Sequence, residues 1–359
     1  MAVRREPAPS RVTLRDVARV ADVHPGTASR ALNVETRSLV NEETARRVLD
    51  AAEELGYHPN PIARGLKTNR SYTIGVLIPD LTNPLFPPIL RGIEDRLEED
   101  GYTALIANTD NDPERERIDW QAMRARQVDG IVTATARRDH ELLDELLDSD
   151  IPLVLVNRRT ADGRVPSATA DDAQGIRLAV EHLVAAGHTR IGHVAGPLEL
   201  STGLDRHDGF IAAMRDSGAE ADPELIVVSR AFTEGEGARA CAELLASGGG
   251  LTAIVAANDL IALGCYDVFA DRGIRCPQEI SITGFNDMPF ADRFSPPLTT
   301  IRIPHYEIGT AAAQLMLAQL QADDSEPSEV RLQPELVVRE STGPPGPTAR
   351  GAAAPPLEA

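Results

Sequence analysis

Residues Thr13 to Asn33 read TLRDVARVADVHPGTASRALN. Leu14, Val17, Ala18 and Ala21 recur at helical spacing, and Thr13 with Asp16 three residues on is a near match to a capping box. Asp22 stands where the chain must bend sharply, and Asp tolerates a left-handed backbone better than most residues. His24 is the expected cap of a second helix and Pro25 its first residue, a position whose N–H has no helical partner anyway. Val23 and Leu32 are placed to fill a small core beneath the turn. With Ala28, Ala31 and Leu32 inward, Gly26, Thr27, Ser29, Arg30 and Asn33 are left on the outer flank. Two short helices around a tight turn put a helix into the major groove of DNA. Arg30 suits a bidentate bond to guanine, and Thr27, Ser29 and Asn33 suit phosphate oxygens. Taken alone, the same pattern also describes an ordinary helical hairpin.

The surrounding chain is acidic. It has 359 residues and a formal net charge of −19, yet residues 1–70 hold 12 Lys+Arg against 9 Asp+Glu, a net of +3 that leaves −22 for the remainder. That asymmetry predicts a nucleic-acid-facing module joined to an acidic body, whose field discourages DNA contact elsewhere. The length allows two or three domains, and 42% apolar with 25% charged residues is ordinary for a globular protein. No apolar run approaches the ~18 residues of a membrane span, and the basic N-terminus lacks the apolar core of a signal peptide, so a cytoplasmic location is expected. Cys241, Cys265 and Cys276 have no CxxC spacing, which argues against a disulfide framework and against a structural zinc site.

A third helix is expected over NEETARRVLDAAEELGY, with Asn41 as cap, Glu42 and Glu43 at the positive start, Val48, Ala52 and Leu55 inward, and Gly56 as the stop. HPNPIARGLKTNRS then reads as a linker around one short helix. From Tyr72 the rhythm changes. TIGVLIP, TALIAN, GIVTA and PLVLVN, then RIGHVAG, LIVVS, TAIVAA and ISITGF, alternate with amphipathic runs, which means buried parallel sheets with helical crossovers. Roughly four strands fall on each side of Asp171, so two similar α/β lobes are expected. The tail STGPPGPTARGAAAPPLEA is expected to be disordered.

These segments together resemble the lactose-repressor/galactose-repressor family of bacterial transcription regulators. TLRDVARVADVHPGTASRALN and VNEETARRVLDAAEELGYHPNPIARGLK carry the likeness, and TIGVLIPDLTNPLF, VDGIVTA, HLVAAGHTRIGHVAG, TAIVAANDLIALG, ISITGFND and PPLTTIRIP continue it in the family's order from Arg11 to Ser341. The resemblance implies an all-α helix-turn-helix headpiece over 11–58, a hinge helix and linker over 59–71, and an effector-binding and dimerisation domain over 72–341. That last domain is an α/β, two-lobed, periplasmic-binding-protein-like body with two parallel sheets. Its N-lobe takes about 72–170 and 301–331, its C-lobe about 171–300 and 332–341, and 342–359 form the tail. The implied activity is repression: a homodimer binds a pseudo-palindromic double-stranded operator, and a small effector, expected to be a sugar, sets its affinity. No cofactor, metal, catalytic residue or membrane partner is implied. The tail lacks the leucine heptad of tetrameric members, so a dimer is expected.

In the headpiece, Leu14, Arg15, His24, Pro25, Gly26, Thr27, Ser29, Arg30 and Asn33 form the implied DNA-facing set. Asp22 and His24 depart from the usual Gly or Asn and the usual Ser. Pro25 and Gly26 stand at the two base-reading positions without a side-chain donor or acceptor, so direct readout falls to Arg30. In the hinge, Asn60 caps, Ala63 packs closely and Leu66 matches the leucine that wedges between base steps, bending the duplex. Gly65 departs from the usual Ser or Gln and weakens that helix.

The effector residues are expected beyond the carboxyl ends of the strands, where open parallel sheets bind ligands. Asp80, Asn83, Phe86, Thr133, Thr135, Asn157, Arg158, Arg206, Phe232, Asn258, Asp259 and Asn286 occupy those loops. Amides and carboxylates beside an aromatic platform suit a polyhydroxylated ligand. The resemblance implies effector contact at Arg206, Phe232, Asn258 and Asn286, and puts Asn157 and Asn286 where aspartates are usual. Leu200 lies where purine-responsive members place an Arg, which favours a sugar over a purine. Other readings stay open: Arg206 as a structural bridge to Asp205 or Asp208; a sugar acid or phosphate bound near Asn157-Arg158-Arg159; a nucleoside- or phosphosugar-responsive regulator; a carbohydrate-binding protein or an enzyme. The chain has no GxGxxG after a strand, no GxxxxGK[ST] and no HExxH to support an enzyme.

Overall fold

A computed structural model of the chain describes residues 12–33, 36–57, 70–147, 149–218, 221–247, 250–321 and 328–346. The chain divides between Tyr72 and Thr73 into two compact units. The expected hinge residues Asn60, Ala63, Gly65 and Leu66 lie outside the described residues.

In the first unit, α1 (Leu14–Val20), α2 (Pro25–Leu32) and α3 (Glu42–Glu54) pack with a 3₁₀ turn at Arg37–Leu39. The Asp16 carboxylate accepts from the backbone N–H and the hydroxyl of Thr13, at 3.0 and 2.7 Å. The sharp turn is a helix C-cap: Val23 N donates to Ala18 O (2.9 Å), Asp22 N to Arg19 O (3.3 Å), and Asp22 takes φ 52°. This is the paired-bond motif that normally selects Gly at the left-handed position. The same motif ends α3, with Gly56 at φ 60° and Tyr57 N donating to Ala52 O at 2.8 Å. Val17, Ala18, Ala28, Ala31, Val48 and Ala52 form the core, with Leu14, Val23, Leu32 and Leu55 packed at its margin. Small alanines at the centre let three short helices approach closely.

The second unit holds two six-stranded sheets. One has the order β11-β5-β4-β3-β1-β2, from Glu329–Leu332, Ser167–Ala170, Leu153–Val156, Gly130–Thr133, Thr73–Ile78 and Thr103–Asn108. The other has the order β12-β10-β9-β8-β6-β7, from Glu335–Val337, Thr299–Arg302, Ser281–Asn286, Ala253–Ala256, Ile191–Ala195 and Ile226–Val228. Every pairing is parallel except β10 with β12, which corrects the expectation of purely parallel sheets. Eight of these strands coincide with apolar runs of the sequence. The others, SATA, TTIR, EVRL and ELV, are short and polar, so periodicity gave them no signal.

The chain changes sheet three times among the described residues. It passes from β5 into α7 (Asp172–Ala185), which packs on the second sheet, then from β10 into α11 (His305–Gln321), which packs on the first, and lastly from β11 to β12. Helix α11 lies directly on α4 (Phe86–Glu99). A Cβ on Gly92 would come within 2.1 Å of Tyr306 O, and one on Gly309 within 2.0 Å of Ile89 O, so only glycine allows this approach.

The expected disorder of the tail fails for its first residues. Thr342 Oγ1 lies 2.8 Å from His182 Nε2, and the Gly343 carbonyl 2.8 Å from His188 Nε2, so this segment is tied onto the second lobe. Residues 347–359 lie outside the described residues. No helix of the described residues is long and apolar enough to cross a membrane.

Candidate functional site

A cavity of about 260 Å³ opens at the carboxyl ends of four strands of each sheet. Loops after β1, β2, β3 and β4 supply Asp80, Asn83, Phe86, Asn111, Thr135, Arg137, Asn157 and Arg158. Loops after β6, β7 and β8 supply Pro197, Glu199, Leu200, Arg230, Phe232 and Asn258, and the last residue of β9 supplies Asn286. Helix α5 (Pro113–Ala125) adds Glu116 and α8 (Ser201–Asp216) adds Thr202 and Arg206. Such a volume is at the small end of ligand pockets, which run ~300–1,000 Å³ for drug-sized molecules, and suits a molecule of monosaccharide size.

On the first lobe, local hydrogen bonds shape the loop that carries Phe86. Asp80 Oδ1 accepts from Thr82 N (2.8 Å) and from the Thr82 hydroxyl (2.6 Å), and Asn83 Oδ1 accepts from Leu85 N (3.0 Å). Asn157 follows β4 with φ 64°, a left-handed backbone that an amide residue tolerates. Arg158 beside it is buried. Glu116 is buried too; its carboxylate accepts from the Thr135 hydroxyl and lies 3.3 Å from His140 Nε2. The expectation for Thr133 is corrected, because its hydroxyl bonds Thr135 Oγ1 at 2.6 Å and does not line the cavity.

On the second lobe, Arg206 is the fixed point. Its Nε and Nη2 both lie 2.7 Å from Asp172 Oδ1, its Nη1 donates to Ala257 O at 2.8 Å, and its guanidinium carbon sits 3.8 Å from the Phe285 ring centroid and 5.6 Å from that of Phe232. Burial pushes the Asp172 carboxyl up, and the Arg206 charge opposes it. Arg206 therefore has a structural bridge, but to Asp172 and not to Asp205 or Asp208. Asp205 instead takes Arg159 from the first lobe in a two-bond fork of 2.8 and 2.9 Å, and Arg159 N donates to Ser201 Oγ at 3.0 Å. Consecutive residues thus divide the work: Arg158 and Arg206 line the cavity, while Arg159 and Asp205 join the lobes beside it.

Phe232 lies on Gly196, where a Cβ would come within 2.4 Å of the ring. Asn258 caps α10 (Asp259–Arg272), its Oδ1 accepting from Ile261 N at 2.8 Å. Asn286 ends β9 at φ 109°, a strained backbone of the kind that collects at binding sites. Asp259 does not reach the cavity, which corrects its assignment. Burial pushes its carboxyl up to about 7, and it accepts from Met288 N (2.7 Å) and the Thr300 hydroxyl. Most of the lining follows the strand-end rule, and Arg137, Glu199 and Arg230, which were not among the expected residues, obey it too. Glu116 sits inside a helix, where no such rule points.

In the headpiece, His24 caps α2 as expected, Nδ1 accepting from Gly26 N at 3.1 Å. Pro25, Gly26, Thr27, Ser29 and Asn33 are half-buried, while Arg15 and Arg30 are exposed. Leu14 packs against the core. Arg30 Nε donates to Gly26 O at 3.2 Å, which lays the side chain along its helix. The described residues hold no group of His, Cys, Asp or Glu that could bind a metal.

Residues 13–60 match the model of bacterial regulatory proteins of the lacI family, and residues 180–342 match a periplasmic binding protein-like domain. The HTH-type transcriptional regulator RegA of Clostridium saccharobutylicum is 34% identical over 331 residues, covering 92% of this chain and 99% of RegA. The chain belongs to the lacI family. It is a DNA-binding transcriptional regulator built from a helix-turn-helix headpiece and a two-sheet α/β body. The ribose operon repressor of Halalkalibacterium halodurans is also 34% identical, over 92% of this chain and 97% of its own. The solved lac repressor dimer bound to operator and the anti-inducer ONPF superposes with a TM-score of 0.82 at 27% identity, covering 93% of this chain and all of that one.

The Arg206–Asp172 pair generates a prediction. Removing one member of a buried ion pair leaves the other charge uncompensated, so Arg206→Ala should lower the unfolding free energy by about 3–5 kcal/mol, and Arg206→Met with Asp172→Leu should recover most of that loss. Urea denaturation of the three proteins checks it. An unchanged midpoint for Arg206→Ala would show that the pair holds nothing.

Proposed function

We propose that the chain acts as a homodimer whose two headpieces read the halves of a pseudo-palindromic operator, and that a sugar of monosaccharide size in the cavity sets the operator affinity. The observation that carries this reading is the cavity itself, which takes its walls from the strand ends of both lobes, so an occupant touches both at once. Phe86 and Phe232 offer flat apolar surfaces, and Asn157, Asn258 and Asn286 offer amides, the combination that packs and orients a polyhydroxylated ring. The similarity to a ribose operon repressor and to an operator-bound repressor dimer supports the same reading. Residues 59–71, with Asn60, Ala63 and Leu66, serve in it as the hinge between headpiece and body. One helix-turn-helix reads only a few base pairs, which is why two related by a dyad are needed.

Two measurements test it. Arg30→Ala should weaken binding to a selected operator by about 1–3 kcal/mol and relax preference at one position per half-site. Equal losses on every sequence would make Arg30 a phosphate contact. Phe232→Ala removes the aromatic platform without leaving a charge unpaired, so it should bind operator as the parent does and lose the response to sugar. A variant that responds normally would place the effector elsewhere.

A further inference from the structure

One buried cation of the cavity has no ion pair among the described residues. Arg158 is only 7% exposed. Among the described residues its guanidinium has no ion pair and its Nε has no hydrogen-bond partner. Arg206, the other buried guanidinium of the site, differs: it is held by Asp172 and by the Ala257 carbonyl. The acids that could serve Arg158 are engaged or distant. Glu116 bonds Thr135 and faces His140, and Asp80 is turned onto Thr82. Glu116 and Glu199 attract Arg158 without forming an ion pair with it, and the Arg137 and Arg206 charges act against that attraction. Asn157 just after β4 and Asn286 at the end of β9, both at the cavity, are neutral amides.

A guanidinium shielded from bulk water gains most from an anion or a full set of acceptors, and among the described residues none forms an ion pair or a hydrogen bond with this one. Burial and the Arg137 charge draw Arg158 down to about 10, so it remains a cation at neutral pH. Its planar fork matches the two oxygens of a carboxylate or a phosphate, and Arg137 lines the same cavity as a second cation.

We infer that the effector carries an anionic group, a carboxylate or a phosphate, which lies against Arg158. The inference rests on the proposed reading that the cavity holds the effector, and it narrows that effector from sugars in general to sugar acids and sugar phosphates. A neutral hydroxyl would accept a hydrogen bond from Arg158 and leave its charge as it stands, whereas an anion removes the imbalance.

The test uses the full chain and calorimetric titration with aldopentoses and aldohexoses, their aldonic acids and their terminal phosphates. An acid or a phosphate should bind at least about tenfold tighter than its neutral parent, and Arg158→Gln should abolish that advantage. The two anionic series distinguish the sources. Neutral sugars binding as tightly as their acids and phosphates, with Arg158→Gln weakening all alike, would overturn the inference and make Arg158 a donor to hydroxyls. Two ligand-free readouts keep the outcome independent of the sugar. Arg158→Gln should unfold at a higher temperature than the parent, because it deletes an unbalanced buried charge; a lower temperature would mean that Arg158 is already paired within the protein, and the inference fails. Inorganic phosphate, against chloride at matched ionic strength, should stabilise the parent and not the variant. If phosphate stabilises through Arg158 while no sugar derivative binds, the anion site stands and the sugar reading falls. If phosphate has no effect and no anion binds, both fall.

Discussion

The ion pair of Arg206 with Asp172 is the point on which the effector body turns. Asp172 begins α7 immediately after the first change of sheet, Arg206 comes from α8, and the Ala257 carbonyl that completes the set follows β8. Three separate segments of the second lobe are therefore fixed to one guanidinium. The Phe285 ring beneath it excludes water, and in that low-dielectric setting the pair has far more force than a surface bridge. Asp172 also lies in the first turn of its helix, where the helix dipole favours a negative charge. The Arg206 charge at this wall of the cavity is balanced within the second lobe itself.

The first lobe is built the other way. Arg158 faces the same cavity without such a partner among the described residues, while Arg159 pairs with Asp205 across the lobes. One wall, in the proposed reading, is complete in itself and the other is left for an occupant to complete. In the proposed reading this difference is what makes the body responsive, since an occupant that satisfies Arg158 while resting on Phe232 gains from both lobes at once. A ligand shifts a conformational equilibrium only by its differential affinity for the two states. The Arg159–Asp205 fork, one residue away from the cavity residues Arg158 and Arg206, joins the two lobes beside it.

How far the sequence could be read follows from the range of the interactions. In the headpiece every deciding signal is local: Asp16 to Thr13, Asp22 in the left-handed turn, His24 on Gly26, Gly56 after α3. Each acts within a few residues, so composition and spacing revealed the elements and their ends. Strands buried on both faces were equally legible, whereas SATA, TTIR, EVRL and ELV are strands only because a neighbouring strand is already in place. The site shows the same division. The rule that ligands gather at strand ends located Asp80, Phe86, Asn157, Arg158, Phe232, Asn258 and Asn286. It failed for Thr133, which turns to Thr135, and for Asp259, which turns to Met288 and Thr300. Asp205 and Asp208, the alternative bridge partners near in sequence, do not pair with Arg206, which bonds Asp172 instead. Adjacent residues on a helix point about 100° apart, and the true partner lies 34 residues away.

The central claim is that cavity and operator are coupled through one body, and coupling of that kind is reciprocal. The most direct measurement is a closed thermodynamic square on the full chain: operator affinity with and without the sugar derivative that binds, and affinity for that derivative with and without saturating operator. The account predicts that both pairs change by the same factor, of about 5-fold or more, corresponding to a coupling of ~1–3 kcal/mol. A derivative that occupies the cavity and leaves operator affinity unchanged, a factor of one on both sides of the square, would contradict it.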